Sequence, residues 1–137
     1  MAICPVCEGT REITIKKAED EFVSVGITKL CPSCHGRGER PELVYVAGPY
    51  THDDPVDNTR DAIFCGHALF DRGNVAFVPH LSMFEHFVNP KPYTYWIERG
   101  IRCVEVCDRV VRLPGPSSGA DKECEHAAAL DIPVLML

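Results

Sequence analysis

Two acidic residues in the second half of the sequence lie where a carboxylate could take part in catalysis. Glu123 comes about one turn into a predicted helix, after a glycine-containing loop at the carboxyl end of a predicted strand. Open α/β sheets bind ligands at that edge. Asp108 lies at one end of the same strand, and we expect its carboxylate to point into the crevice. Each also has a structural explanation, because Glu123, like Asp121 or Glu125, can complement a helix dipole and Asp108 can accept from loop amides.

Three residues that follow the first two predicted strands are candidates for substrate binding. Gly48 and Tyr50 come after the first strand, where a missing side chain lets a ligand approach and an aromatic ring can pack against it. His80 opens the loop after the second strand and could act as an acid or bind phosphate. A surface turn for Tyr50 and a structural role for His80 remain the alternatives.

The loop that precedes Glu123 is a candidate anion site. Ser117, Ser118 and Gly119 lead into a predicted helix, where free amides, hydroxyls and the helix dipole together favour a negative charge. Either serine can also cap the helix, and the two roles are compatible.

Four cysteines in the first forty residues form two Cys-x-x-Cys pairs, Cys4 with Cys7 and Cys31 with Cys34. Two such turns can surround one metal ion with a tetrahedron of sulfur, a cage that zinc prefers. Because the cage is closed, we expect a structural Zn²⁺ ion. A redox-active dithiol is the alternative.

The second cysteine pair belongs to a longer motif, Cys31-Pro-Ser-Cys34-His35-Gly36-Arg37-Gly38. It resembles the Cys-x-x-Cys-x-Gly-x-Gly repeat in the zinc region of Hsp40-type chaperones. The first pair keeps Gly9 but has Arg11 in place of the second glycine. The resemblance covers this module alone and does not imply chaperone activity.

The hydrophobic pattern predicts a small ribbon in residues 1–41 and an α/β domain in residues 42–137. The ribbon would contain a hairpin with arms Glu12–Lys17 and Phe22–Thr28. In the α/β domain, predicted strands at Leu43–Ala47, Val75–Val78, Cys107–Leu113 and Pro133–Leu137 alternate with helices from Asn58 to Gly73, Tyr93 to Glu105 and Ala120 to Leu130. This alternation indicates a flavodoxin- or Rossmann-like parallel sheet of four or five strands with helices on both faces.

From Val44 onward the chain resembles the nucleoside 2-deoxyribosyltransferase-like superfamily. The matching pieces are Val46-Ala47-Gly48-Pro49-Tyr50, Asn58, the segment Gly73–Pro79, Cys107-Asp108-Arg109-Val110 and Ser117-Ser118-Gly119-Ala120-Asp121-Lys122-Glu123, followed by Ala127 and Pro133. The superfamily includes transferases that exchange bases on deoxyribose and hydrolases that cleave nucleotide N-glycosidic bonds. The resemblance therefore implies a nucleoside or nucleoside 5′-monophosphate substrate.

The resemblance also implies roles for individual residues. Glu123 would be the nucleophile that attacks the anomeric carbon, and Asp108 would orient the substrate or protonate the base. A serine at Ser117 or Ser118 would contact a 5′-phosphate. A second aspartate of the superfamily is replaced here by Gly100, which puts transferase activity in doubt unless Glu98 compensates. Active sites shared between subunits in this superfamily imply a homo-oligomer.

Composition narrows the class of protein. The chain of 137 residues is 45% hydrophobic and 25% charged, with a formal net charge of −6 and no evident basic cluster, so it gives no reason to expect nucleic acid as a partner. It has no apolar run of membrane-spanning length and no signal peptide, and we expect a cytoplasmic protein. Two other functions remain open, a non-catalytic nucleotide sensor and an adaptor whose ribbon binds protein or nucleic acid. Also open are the identity of the base, whether water or a second base accepts the sugar, and whether the bond that is cleaved is a nicotinamide glycosidic bond.

Overall fold

The chain divides into two compact units, Met1–Pro41 and Glu42–Leu137. The computed structural model describes residues 2–16, 26–32, 34 and 38–137, without the side chains of residues 14–16 and 26–30. Helices in this described part of the chain are all too short or too polar to cross a membrane.

The first unit consists of two short antiparallel ladders. Strand β1 (Ala2–Ile3) pairs with β4 (Glu39–Arg40), and β2 (Glu12–Lys16) pairs with β3 (Gly26–Leu30). The first predicted hairpin arm coincides with β2 to within one residue. The second arm ends at Leu30 rather than Thr28, and its predicted start at Phe22 lies outside the described residues.

The second unit is built on a four-stranded parallel sheet. Its strands are β5 (Leu43–Ala47), β6 (Val75–Phe77), β7 (Arg109–Arg112) and β8 (Val134–Met136), in the order β6-β5-β7-β8. The chain passes from β5 to β6 on one side of β5 and then returns to β7 on its other side. The strand order therefore reverses between β5 and β7. Ligands bind at the carboxyl ends of strands beside such a point. The predicted parallel α/β sheet is confirmed.

The two faces of β5 pack against different helices. Tyr45 and Ala47 belong to one apolar cluster with residues of helices α3 (Tyr93–Val104) and α4 (Ser118–Ala129). Val46 belongs to a second cluster with Ala62 of helix α1 (Pro55–Asp71). This alternation follows from the two-residue period of a strand, and it directs Tyr45 toward the α3 and α4 side.

Helix α1 begins earlier than the sequence analysis expected. Its N-cap is Asp54, whose carboxylate accepts from the Val56 amide at 2.7 Å, and Pro55 occupies the first turn. The predicted cap, Asn58, lies inside the helix. Its Nδ2 donates instead to the carbonyl oxygens of Tyr50 and His52, at 3.1 and 2.6 Å. The correction gives Asn58 a new structural role, since it fixes the loop after β5.

The segment after β6 holds a turn and a helix that the sequence analysis treated as a loop. A 3-10 turn at Pro79–Ser82 continues into helix α2 (Met83–Val88). Helix α2 is six residues long and has no buried residue, so its apolar pattern is too short to indicate a helix in the sequence.

Candidate functional site

The site is centred on the carboxyl group of Glu123. Ser117 caps α4 by accepting from the Ala120 amide, and this places Glu123 in the second turn of the helix above the sheet. The side chain is only 8% exposed. Its Oε1 accepts a hydrogen bond of 2.7 Å from the hydroxyl of Tyr45, which reaches up from the middle of β5. A strand and a helix that are distant in sequence therefore converge on one buried acid.

Burial gives this acid an unusual ionisation. Removal from water raises the pKa of Glu123 from 4.5 to about 7, while the Tyr45 hydrogen bond and the charge of Arg112 act in the opposite direction. The pKa of Tyr45 is raised by its own burial and by the charge of Glu123. A carboxyl group that titrates near neutral pH inside a cleft is typical of catalytic sites.

Gly100 of α3 makes the close approach of this helix possible. A Cβ atom at residue 100 would lie 2.4 Å from Glu123 Oε1 and 2.8 Å from the Tyr45 hydroxyl. Both distances are far below van der Waals contact. The glycine therefore brings the backbone of α3 directly against the carboxyl group.

The loop between β7 and α4 is held by a buried arginine. Arg112 donates to the carbonyl oxygens of Leu113 and Gly115 and to Asp121 Oδ1, the last at 2.8 Å. Its side chain is buried, and its three partners lie on both sides of the loop. Arg112 thus links the end of β7 to the first turn of α4, the helix that carries Glu123.

A cavity of about 340 Å³ opens beside Glu123 at the carboxyl ends of the strands. This volume suits a small organic ligand. Aromatic and apolar side chains form much of its wall, namely Tyr45, Tyr50, Phe77, Tyr93, Trp96 and Ile97. The cavity can therefore hold a flat, largely apolar group next to a carboxyl group.

Two histidines line the cavity, each with one ring nitrogen already engaged. His80 is buried, and its Nε2 donates to the Pro49 carbonyl at 2.8 Å, while its Nδ1 has no hydrogen-bond partner among the described residues. Burial lowers the pKa of His80. His86 Nδ1 accepts from Trp96 Nε1 at 3.2 Å and from the Lys91 amide at 3.4 Å.

Most of the residues that the sequence analysis proposed for the site do line this cavity. They are Gly48, Tyr50, His80, Ser117, Gly119 and Glu123. Ser118 is exposed at the start of α4 and does not contribute to the wall. Glu125 and Glu98, which the sequence analysis also named, are exposed and lie outside it.

Asp108 lies elsewhere, and the expectation that it points into the crevice is wrong. It precedes β7, at the amino end of the strand, whereas the cavity opens at the carboxyl end. Its Oδ2 accepts from the Leu43 amide at 2.8 Å, and its own amide donates to the Leu43 carbonyl at 2.8 Å. Asp108 therefore joins the starts of β5 and β7.

Several residues of the cavity wall were not singled out from the sequence. Tyr45 looked like one more residue of a buried strand, although a buried tyrosine hydroxyl needs a partner and so hints at a polar group nearby. His86, Lys91 and Arg99 come from α2, the linker after it and α3. His86 reaches the cavity because the segment after β6 folds into α2 rather than remaining a loop.

The first unit contains a candidate metal centre. The sulfur atoms of Cys4, Cys7, Cys31 and Cys34 all lie within 4.8 Å of one another, and all four residues are buried. The Cys4–Cys31 and Cys7–Cys34 sulfur separations are 3.7 and 3.6 Å. A tetrahedral zinc ion with bonds of about 2.3 Å requires sulfur separations of about 3.8 Å. The four thiols could therefore hold a metal ion such as zinc.

Gly38 shapes the second cysteine turn. Its amide donates to Cys34 Sγ at 3.3 Å, and its backbone adopts φ +83°. A Cβ there would lie 2.9 Å from the Gly9 carbonyl oxygen. This explains the last glycine of the Cys-x-x-Cys-x-Gly-x-Gly motif, because only glycine tolerates both the dihedral angle and the contact.

Comparisons with known proteins agree with the fold. Residues 42–137 match the family described as "Domain of unknown function (DUF7768)". No curated protein sequence is significantly similar to the chain. Among solved structures, the 2-deoxyribosyltransferase of the psychrotolerant bacterium Bacillus psychrosaccharolyticus is similar, with a TM-score of 0.51 and 16% sequence identity over 69% of this chain and 70% of that one. At this identity the likeness establishes a shared fold.

Proposed function

We propose that this chain, which belongs to the DUF7768 family through residues 42–137, cleaves the N-glycosidic bond of a nucleoside or a nucleoside 5′-monophosphate. The observation that carries the proposal is the buried carboxyl group of Glu123, hydrogen-bonded to Tyr45 at one end of a cavity of nucleoside size. The fold shared with a 2-deoxyribosyltransferase supports the same class of chemistry.

In the proposed reaction Glu123 is the nucleophile. Its ionised carboxylate attacks the anomeric carbon, a C–O bond forms, and the C–N bond breaks so that the base leaves with the bonding electron pair. Water, or a second base, then attacks the glycosyl ester and releases the carboxylate. Tyr45 holds one carboxylate oxygen, which leaves the other oxygen to react.

The walls of the cavity offer places for the rest of the substrate. Tyr50, Tyr93 and Trp96 present aromatic surface to a base or a sugar. At the start of α4, Ser117 takes up the Ala120 and Asp121 amides. The first-turn amide of Gly119, which lines the cavity, remains as a donor for a 5′-phosphate, which the helix dipole would also favour. We therefore retain a monophosphate as a candidate substrate.

The test is chromatography of free bases released from ribo- and deoxyribonucleosides and their 5′-monophosphates. We expect Glu123→Gln to lower the rate of release about a thousandfold or more, because it keeps the shape but removes the nucleophile. Glu125→Gln is the matched control, since Glu125 lies two residues away on the exposed side of the same helix. Undiminished release by Glu123→Gln would overturn the proposed mechanism.

A non-catalytic nucleotide sensor is the second candidate, and Gly100 is the observation that favours it. This glycine stands where the superfamily has an aspartate, and the space for a side chain there is taken by Glu123 and Tyr45. A sensor would bind a nucleotide tightly, as measured by calorimetry, and release no base from any member of the panel.

For the first unit we propose a structural zinc ion held by Cys4, Cys7, Cys31 and Cys34. The sulfur separations support it, as does the amide of Gly38 that donates to Cys34. Native mass spectrometry should find one zinc per chain in the wild type and none in Cys31→Ser, while Cys65→Ser should retain it because Cys65 lies in α1. Intermolecular or intramolecular disulfides in place of zinc would contradict the proposal.

A further inference from the structure

The cavity contains a single carboxyl group. Among the residues that line it, all of them described, Glu123 is the one acidic side chain. Enzymes that cleave glycosidic bonds ordinarily use two carboxyl groups, one to attack and one to protonate the leaving group. One carboxyl group cannot do both in the same step. If Glu123 attacks, the proton for the departing base has no carboxylic source at this site.

Neither histidine of the cavity is arranged to supply that proton. His80 donates from Nε2 to the Pro49 carbonyl, so only its buried Nδ1, which has no partner among the described residues, could carry a second proton, and burial lowers the pKa of this imidazole. His86 Nδ1 accepts two hydrogen bonds, from Trp96 and from the Lys91 amide, and a proton on that atom would break both. His86 is therefore held as an acceptor at Nδ1, and burial disfavours the protonated form of His80.

The missing acid cannot be supplied at residue 100 in this arrangement. Even a Cβ there would lie 2.4 Å from Glu123 Oε1. Glu98 on the same helix is exposed and lies outside the cavity wall. The packing of α3 against Glu123 thus leaves no room for a side chain at residue 100 while Glu123 and Tyr45 keep their present positions.

We propose that the substrate is an N-glycoside whose base already carries a positive charge, such as a pyridinium or an N7-alkylated purine. This inference rests on the proposed function. When Glu123 attacks such a substrate, the base takes the electron pair of the C–N bond and leaves as a neutral molecule. No proton is needed, and the charges balance: a cation and a carboxylate become a neutral base and a glycosyl ester.

The surroundings of the cavity suit a flat cation. Phe77, Tyr93 and Trp96 place aromatic rings, of the kind that attract cations, in the cavity wall. The Arg99 guanidinium lies 5.7 Å from the centre of the Trp96 ring, so this ring already carries one cation. A positive charge beside Glu123 would also favour the ionised form that attacks.

The two basic side chains of the wall already have partners. Arg99 forms a two-pronged contact with Glu85, and the Lys91 ammonium group lies 6.0 Å from the centre of the Tyr95 ring. The charge of Arg99 is thereby balanced by a carboxylate, so it opposes a bound cation less than a free guanidinium would.

The experiment compares cationic and neutral substrates with the full-length protein. The probes are nicotinamide riboside and 7-methylguanosine against uridine and guanosine, each also as its 5′-monophosphate. We expect kcat/KM for a cationic probe to exceed that for its neutral counterpart at least a thousandfold, with loss of release in Glu123→Gln and retention in Glu125→Gln. Nicotinamide riboside should show a rate that rises as Glu123 ionises and then stays level, because no acid has to remain protonated.

The other outcomes are distinguishable. Release from guanosine or uridine that needs Glu123 and comes within tenfold of the cationic probes would overturn this inference and leave the proposed function standing. No release from any probe by the folded protein would overturn both. A falling alkaline limb in the nicotinamide riboside profile would reveal an acid in the site and contradict the inference alone.

Discussion

Acidic residues lie at both edges of the parallel sheet, but they are paired at the amino edge and buried at the carboxyl edge. At the amino edge, Asp108 and Leu43 exchange two hydrogen bonds, and Arg109 pairs with Glu42 at 3.0 Å. At the carboxyl edge, Glu123 is buried beside a cavity. One edge uses its charges to join strands, and the other keeps a charge in surroundings that disfavour it.

This difference indicates which edge of the sheet carries the function of the second unit. A buried acid with a raised pKa and a buried His80 nitrogen that has no partner among the described residues both destabilise the carboxyl edge. Proteins retain such features mainly where a ligand or a reaction requires them. The amino edge shows the ordinary alternative, in which polar groups are paired.

The largest predicted effect at the carboxyl edge is the dependence of stability on pH that Glu123 causes. Its pKa rises from 4.5 to about 7 on folding, so between these values the unfolded chain releases a proton that the folded chain keeps. The free energy of unfolding is therefore highest below about pH 4.5 and falls by about 3 kcal/mol as the pH rises to about 7. Glu123→Gln should lack this loss and become the more stable protein at pH 8.

Urea unfolding at pH 4.5, 6 and 8 would measure it. Trp96 is the single tryptophan of the chain, so its fluorescence reports on the second unit alone. Glu125→Gln, whose carboxylate is exposed, should follow the wild type at each pH. Stability curves that run parallel for the wild type and Glu123→Gln would show that the carboxyl edge carries no such strain.

The next largest effect should come from Gly100→Ala. The new methyl group would push Glu123 away from Tyr45, because it would lie within 3 Å of both side chains. We expect base release to fall about a hundredfold, equal to about 2.7 kcal/mol in the barrier.

Gly66→Ala is the matched control for that substitution. Gly66 lies in α1, where a Cβ would meet Val78 at 3.0 Å, so its packing is similarly tight but away from the carboxyl group. It should keep base release within a few fold. Equal losses in both variants would mean that helix packing in general, and not the contact with Glu123, limits activity.

Much of this architecture follows from local sequence patterns. The apolar run Leu43–Ala47 predicts β5 without error, since a strand buried on both faces needs no polar residue. The loop of Ser117 and Gly119 predicts the start of α4 two residues late, at Ala120 rather than Ser118, and so the approximate position of Glu123. What a pattern cannot show is which side chains meet, and the bond between Glu123 and Tyr45 joins residues 78 positions apart.

The errors have physical reasons as well. Asp108 precedes a strand of a parallel sheet, and strand direction alone places it at the edge opposite the cavity. Asp54 followed by Pro55 is a stronger helix start than Asn58, because proline is preorganised for the first turn. Helix α2 could not be recognised because its six residues are fewer than the roughly 11 over which an apolar period is read.

The smallest predicted effect tests the amino edge. Asp108→Ala removes the acceptor for the Leu43 amide while the reverse backbone bond remains, so we expect the free energy of unfolding to drop by about 1 to 2 kcal/mol. Asp108→Asn keeps an acceptor oxygen and should recover most of that loss. Base release should stay within about twofold of the wild type in both variants, because the residue lies away from the cavity. If Asp108→Ala instead abolished release in a protein that Trp96 fluorescence shows to be folded, Asp108 would act on the substrate after all, and the division between a structural and a functional edge would fall.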